Sequence, residues 1–424
     1  MTSEQACYVY IVLPGEVAFV TAGRFQVTQT RQGAAVGKFV YGRRYREREH
    51  AVELDPVELR LRAGEFETTL MGGFFGAIRD AMPDAWGRKV IERYVRTGPL
   101  TEIDYLLRGP DDRAGALGFG RSQEPASPEN RFNRRLDLAR LQHAADAIVT
   151  DEPDLAGSAG QQMEDLLLLG GTSMGGARPK AVVEDDGALW IAKFARQDDN
   201  WNQPRIEHGL LELARACGLN AADSKLTTVA GRDVLLVRRF DRDRNEDGGY
   251  RRHRMVSALT LLRSDDDATV RKNWSYLMLA DEIRRASSNP AEDLRELFGR
   301  MCFNGAISNL DDHPRNHAML AKDRLWRLSP AYDLTPSPVT AQEARDLAMA
   351  CGIQGRRAAK GNLMSGCGRF LLSPADAARI FDSITGTVGN RWRPAMHRAG
   401  VTDQDCERIA RAFLYDGLFF GEGR

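Results

Sequence analysis

This chain has no surplus of charge. Lys and Arg total 59 and Asp and Glu 59 among 424 residues, so no chain-wide field draws it to nucleic acid. Arginine is dense only locally, at Arg43–Arg48, Arg238–Arg244 and Arg251–Arg254, and such runs read as solvated faces. Long apolar runs are missing as well. None approaches the ~18 residues of a membrane helix, and no signal peptide is visible, so the expected location is the cytoplasm, with no membrane partner. Six cysteines form no C-x-x-C pair and no secreted-type framework, which leaves buried thiols in a reducing compartment. No G-x-x-x-x-G-K-[ST] loop occurs, and no repeat or long low-complexity tract. Hydrophobic residues at 42% and charged residues at 28% describe an ordinary soluble globular protein with room for two or three domains.

The most informative stretch runs from Asn309 to Asp333. Leu294, Leu297, Phe298, Met301 and Cys302 recur upstream at helical spacing. A polar loop follows with Asp311 and, five residues on, Asn316. Two short apolar runs, His317–Leu320 and Leu325–Leu328, predict a strand pair, after which comes Asp333. Phosphoryl transfer needs this order: a carboxylate to orient the attacking hydroxyl, then an amide and a second carboxylate to hold Mg²⁺ against ATP. Protein kinases use D-x-x-x-x-N and a later metal-binding Asp. The tripeptide at 333 is Asp-Leu-Thr rather than Asp-Phe-Gly, so this is no ordinary eukaryotic-type kinase.

Residues 7–70 alternate as strands do, with Tyr8, Tyr10 and Val12 facing one way and Val9 and Ile11 the other. Phe74, Phe75, Ile78 and Met82 switch to helical spacing, and Pro83-Asp84 opens a helix carrying Trp86, Val90 and Tyr94. A polar segment, 123–133, reads as a linker, and 136–169 as mostly helical. The glycine-rich Gly170–Lys180 leads into a hairpin, Ala181–Val183, the turn Glu184–Gly187, and Leu189–Phe194. Glycine lets backbone N–H groups approach phosphate oxygens, which makes Gly175, Gly176 and Ala177 candidate phosphate contacts. Lys193 sits among apolar strand neighbours, where an unpaired ammonium is costly. A kinase uses such a lysine to contact the nucleotide phosphates. Glu207, expected in the first turn of the next helix, is its candidate partner; complementing the helix dipole is the alternative reading. Val234–Phe240 is a strand placed where a kinase crosses between lobes and bonds the adenine. Beyond Gly249, helices are expected at 255–263, 273–285, 291–308, 342–350, 374–384 and 403–415.

With these pieces in order, the chain resembles the HipA family of bacterial Ser/Thr kinase toxins. The resemblance is carried by Thr172–Lys180, Trp190–Phe194, Glu207 with Gly218-Leu219, Arg239–Arg242, Asp311–Asn316 and Pro330–Leu334, and further upstream by Met82-Pro83-Asp84 and Gly115-Ala116. It implies an α+β, two-lobed, protein-kinase-like fold. Residues 1–130 would form an N-terminal α/β subdomain, 131–245 an N-lobe-like region and 246–424 a mainly helical catalytic lobe. Asp311 would be the catalytic base and Asn316 and Asp333 the Mg²⁺ ligands. Lys193 would contact ATP phosphates, and Arg238, Arg239 and Phe240 would supply the hinge. Ser173 would be the autophosphorylation site, with Glu207 and His313 in support. The family further implies a small helix-turn-helix, HipB-like antitoxin, DNA contact mainly through it, and a protein substrate such as an aminoacyl-tRNA synthetase.

The chain departs from the family at His253-Arg254, which precedes Met255-Val256 rather than an acidic pair, at Arg238 in the hinge, and at Asp312, where glycine is frequent. Two other classes fit parts of the sequence. Asp311, Asp312, His313 and His317 could hold a divalent ion for a hydrolase. A catalytically weak kinase-like module could act only through its antitoxin and DNA complex.

Overall fold

The structure is a computed structural model and describes residues 5–95, 98–128, 132–150, 176, 178–337 and 344–420. The chain divides into two compact units. One comprises Met1–Arg196, Thr228–Arg263 and Met319–Trp326; the other comprises Gln197–Thr227, Ser264–Ala318 and Arg327–Arg424.

The first unit is β-rich. Its N-terminal sheet is antiparallel, in the order Glu65–Thr68, Ala35–Tyr41, Phe19–Gln29, Gln5–Val12, Leu117–Gly120. The alternation at 7–11 places Cys7, Val9 and Ile11 in the core, and a register shift after Val9 lets Tyr10 and Val12 be buried as well. Phe25 and Phe39 meet Phe75 edge-on, so the aromatic residues of the sheet and the following segment form one core. Gly23 is required by close approach: a Cβ there would lie 2.2 Å from the Val40 carbonyl oxygen.

A second sheet of this unit runs Asn133–Arg134, Lys180–Asp185, Ala188–Phe194, Arg232–Arg238. The first two strands named are parallel and the other neighbours antiparallel. Asp186-Gly187, both at positive φ, close the hairpin, as a two-residue turn demands. One face, with Ala181, Val183, Ala192, Phe194, Val234 and Leu236, packs on Trp86 and Val90 and on Leu141 and Ala145 of the helix Leu138–Val149. Lys193 therefore points from the other face.

Just past the end of the strand Arg232–Arg238 lies a buried ion network. Asp112 accepts hydrogen bonds from Arg239 and, at 3.1 Å, from Arg242; Asp241 is 2.9 Å from Arg239 and 2.8 Å from Arg242. All four side chains are almost wholly buried. Burial alone would raise Asp241, but the two guanidinium groups hold its carboxyl far below the usual range.

The second unit is mainly helical: Gln203–Ala216, Tyr276–Ala286, Pro290–Ala306, Lys360–Ser365, Pro374–Arg398 and Asp403–Ile409. Two of the helix expectations change. Residues 255–263 split into the strand Arg254–Ser257 and the short helix Ala258–Leu262 of the first unit. Residues 344–350 are not helical: isolated bridges join Asp346 to Arg357 and Ala350 to Ser275, and the chain bends at Ala348-Met349. Leu347, Ala348 and Met349 are buried in succession, which an enclosed irregular segment allows and a surface helix, with one apolar stripe, does not.

Removing one member of the ion network strands buried charge on its partners. Asp112→Ala should destabilise the protein by about 3–5 kcal/mol, read from urea unfolding monitored by tryptophan fluorescence. A loss below about 1 kcal/mol would show that the network does not hold this unit together.

Candidate active site

The helix Pro290–Ala306 ends in a left-handed Ser308, and the chain turns back so that the Asn309 amide bonds the Asn304 carbonyl. The loop that follows is tightly turned. The His313 N–H donates to the Asp311 carbonyl at 2.8 Å and the Asn316 N–H to the His313 carbonyl at 2.9 Å; Pro314–Asn316 form one 3₁₀ turn. Pro314 suits that turn, having a fixed φ and no donor to lose.

The segment around Asp333 is laced to this loop. The Leu310 amide donates to Ser337 Oγ at 3.2 Å, the Ser337 amide to the Ser308 carbonyl at 2.9 Å and the Tyr332 hydroxyl to the Arg315 carbonyl at 2.8 Å. These bonds bring together three residues that the sequence separates by up to 22 positions. Asp311 is open to solvent on one side. Partial burial nevertheless pushes its carboxyl above the ordinary value; the negative charge of Asp333 adds to this, while His313 and Arg271 oppose it. Asn316 is buried, and its Nδ2 donates, at a long 3.4 Å, to the Asp311 carbonyl, which leaves its Oδ1 as an acceptor. Asp333 is half-buried at φ 59°, a left-handed conformation that Asp tolerates better than most residues.

Two mutually repelling carboxylates and an amide oxygen suit a hard cation that takes one or two protein carboxylates and fills its other positions with phosphate and water, as Mg²⁺ does. Among the described residues no group of three His, Cys, Asp or Glu is arranged to cage a metal by itself.

Beneath the loop lies a second set of polar residues. The Tyr276 hydroxyl donates to Asp312 Oδ2, and His317 Nε2 lies 2.8 Å from the same oxygen. Burial and Asp312 push the Tyr276 phenol far above its ordinary pKa, so it remains a donor. His313 is half-buried beside Trp274, with ring centroids 6.4 Å apart.

In the first unit, Lys193 pairs in register with Lys180 on one side and Leu235 on the other. Directly opposed residues share a face, and two opposed ammonium groups repel unless an anion intervenes. Asp84 supplies one: its Oδ2 lies 3.2 Å from Lys180 Nζ, both side chains being 4% exposed. Its Oδ1 accepts the Gly87 amide at the start of the helix Ala85–Val95. Lys180 also donates to the Gly176 carbonyl at 3.0 Å, tying the end of the glycine-rich stretch to the sheet. Gly176, at φ +87°, has the conformation that glycine favours. Ser173, Gly175 and Ala177 lie outside the described residues.

Of the hinge residues, Arg238 is exposed and Phe240 half-buried. The Arg239 amide is already spent on the Leu189 carbonyl at 2.9 Å, and its side chain belongs to the ion network. Glu207 is not in the first turn of its helix. That helix starts at Gln203, capped by Asn202, and Glu207 is buried a turn further on at 3% exposure. Burial removes the dipole reading, because a buried carboxylate needs a specific donor or cation.

Comparison with known proteins agrees with this architecture. Residues 172–392, or 221 of the 424, match the model of the HipA-like C-terminal domain. A Sinorhizobium fredii protein named as a kinase, Y4mE, is 28% identical over 349 residues, covering 77% of this chain and 78% of that protein. The structure of the Shewanella oneidensis HipA, solved with HipB and operator DNA, covers 96% of this chain and 94% of its own at a TM-score of 0.67 and 15% identity, a match of fold. Among the described residues no helix is long and apolar enough to cross a membrane. With the loop at Asp311–Asn316, the returning Asp333 and the family match over more than half its length, the chain belongs to the HipA-like kinase family.

Proposed function

We propose that this chain is a serine/threonine protein kinase that uses ATP and Mg²⁺ and acts as a growth-inhibiting toxin, restrained by autophosphorylation at Ser173 and by a small helix-turn-helix antitoxin. DNA would be reached mainly through that antitoxin. The supporting observation is the gathering of Asp311, Asn316 and Asp333 by loop bonds, with Asp333 close enough to raise the Asp311 carboxyl. The protein substrate is a translation component, an aminoacyl-tRNA synthetase being the class that the family resemblance supplies.

Asp311 accepts a hydrogen bond from the substrate Ser or Thr hydroxyl and aims it at the γ-phosphorus. A new O–P bond forms, the bond to the β,γ-bridging oxygen breaks, ADP leaves, and the hydroxyl proton passes to Asp311. Asn316 Oδ1 and the Asp333 carboxylate would hold Mg²⁺. When bound, Mg²⁺ neutralises charge on the phosphate oxygens. Lys193, Gly175, Gly176 and Ala177 address the phosphates, Arg238 and Phe240 the adenine end, with Arg239 fixing the start of that segment. Glu207 and His313 support the arrangement. A phosphate on Ser173 would add about −1.5 to −2 charges in the glycine-rich stretch and oppose the binding of another polyanion there.

With Mg²⁺ and γ-labelled ATP, the native chain should label itself at Ser173, located by mass spectrometry. Asp311→Asn and Asp333→Asn should each lower transfer by about 100-fold or more. Native-like rates in either variant would contradict these roles.

Asp333 also permits a separate test of function against fold. Asp333→Gly should stay more stable than Asp333→Val while abolishing transfer, because glycine adopts this backbone conformation freely. Asp333→Val should lose about 1–2 kcal/mol in thermal or urea unfolding. Equal stability of the two variants would contradict the left-handed assignment.

A further inference from the structure

The loop carries two interleaved pairs of the same spacing. Asp311 and Asn316 are five residues apart, and so are Asp312 and His317, one step later. Asp311 is open to solvent, whereas Asp312 and His317 are 1% and 2% exposed. The inner pair is closed by the 2.8 Å contact between His317 Nε2 and Asp312 Oδ2.

We infer that Asp312 and His317 form a buried clamp that positions Asp311 and Asn316 for the proposed phosphoryl transfer. The inference rests on that functional reading, but the clamp itself is a statement about the loop.

Three features support it. First, the backbone bonds inside the loop span only two or three residues, from Asp311 to His313, His313 to Asn316 and Pro314 to His317. The separation between the loop's two ends is bridged by side chains, and the Asn316-to-Asp311 contact is long at 3.4 Å. The Asp312–His317 bond is the short bridge across the same span. Second, the clamp is anchored to the helices behind it. Asn309 Nδ2 donates to Asn304 Oδ1 at 3.1 Å, Asn304 Nδ2 to the Tyr276 hydroxyl at 3.1 Å, and that hydroxyl to Asp312 Oδ2. The chain of donors runs one way and ends on the carboxylate, so every link polarises the next. The Tyr276 ring also meets the His317 ring edge-on at 5.4 Å. Asp312 thus ties the start of the helix Tyr276–Ala286 and the end of Pro290–Ala306 to both ends of the loop.

Third, the arrangement is a costly way to fill space. A buried carboxylate with its partner loses hydration that an apolar pair of similar volume would not, and such pairs are best attested where they fix one arrangement among several. Among the described residues His317 Nδ1 has no hydrogen-bond partner, which adds to that cost. Direction and reach are what this expenditure secures. A base and a metal ligand must sit within about 0.5 Å of their productive places, and an error of about 1 Å costs about 100-fold in rate. Asp312 is bonded in sequence to Asp311 and His317 to Asn316, so fixing the inner pair restricts the backbone that carries the outer pair.

The test uses the full-length chain. His317→Ala should lower kcat for Mg²⁺-dependent autophosphorylation by about 10–100-fold and raise the Mg²⁺ concentration at half-maximal rate several-fold. His317→Gln keeps an N–H donor near the Nε2 position and should recover kcat to within about fivefold of native. Asp312→Ala combined with His317→Ala should be little worse than the weaker single variant, because the two remove one interaction. Amide hydrogen exchange without nucleotide or metal supplies a readout independent of activity. His317→Ala should speed exchange across 310–317 by about tenfold and leave Pro290–Ala306 at the native rate. Native kcat in His317→Ala, no recovery with Gln, multiplicative losses, or faster exchange throughout the unit would each overturn the clamp. A native chain that transfers no phosphate would defeat the kinase reading, and the exchange comparison would still decide the clamp.

Discussion

A carboxylate removed from water must find donors, and the residues that supply them then become fixed in space. Asp312 is such a carboxylate, at the centre of the helical unit's polar network. Its donors come from the start of one helix and, through Tyr276 and Asn304, from the end of another; His317 comes from the far side of the loop. The loop is therefore held from beneath, with Asp311 open to solvent and Asn316 buried beside it. Repulsion is kept in place above it: the charge of Asp333 helps to raise the Asp311 carboxyl, and a bound cation would relieve that repulsion.

The first unit solves a similar problem with opposite sign. Lys180 and Lys193 are paired across two strands, and the buried Asp84 neutralises the first of them. Lys180 in turn holds the Gly176 carbonyl, so the end of the glycine-rich stretch is moored to the sheet that carries Lys193. The arginine run Arg238–Arg244 is a solvated face only in part: Arg238 and Arg244 are exposed, whereas two of its members are buried. Arg239 and Arg242 are consumed by Asp112 and Asp241.

How much of this could be read from the sequence depended on distance along the chain. Asp311, Asn316 and Asp333 fall within one short stretch, and the strand pair between them makes their return legible. The hairpin at Asp186-Gly187 and the helix ending at Gly218 were legible because turns and caps are local chemistry. The Asp84–Lys180 pair was not, because 96 residues separate its members. Glu207 was assigned to a first turn because pattern alone does not locate the Asn202 cap. Residues 344–350 read as helix because an apolar run with flanking charges looks alike in either state until burial on both faces is known. Asp312 and His317 could be read as ligands of a divalent ion; their spacing, one residue after that of the outer pair, was the available signal.

The central claim is that Asp333 and Asn316 make nucleotide binding depend on Mg²⁺. Calorimetric titration of ATP into the full chain, with Mg²⁺ and with EDTA, measures that coupling directly. The account predicts affinity at least about fivefold higher with Mg²⁺ in the native protein, and loss of that dependence in Asp333→Asn. Equal affinity with and without the metal in the native chain, or full dependence retained in Asp333→Asn, would contradict it.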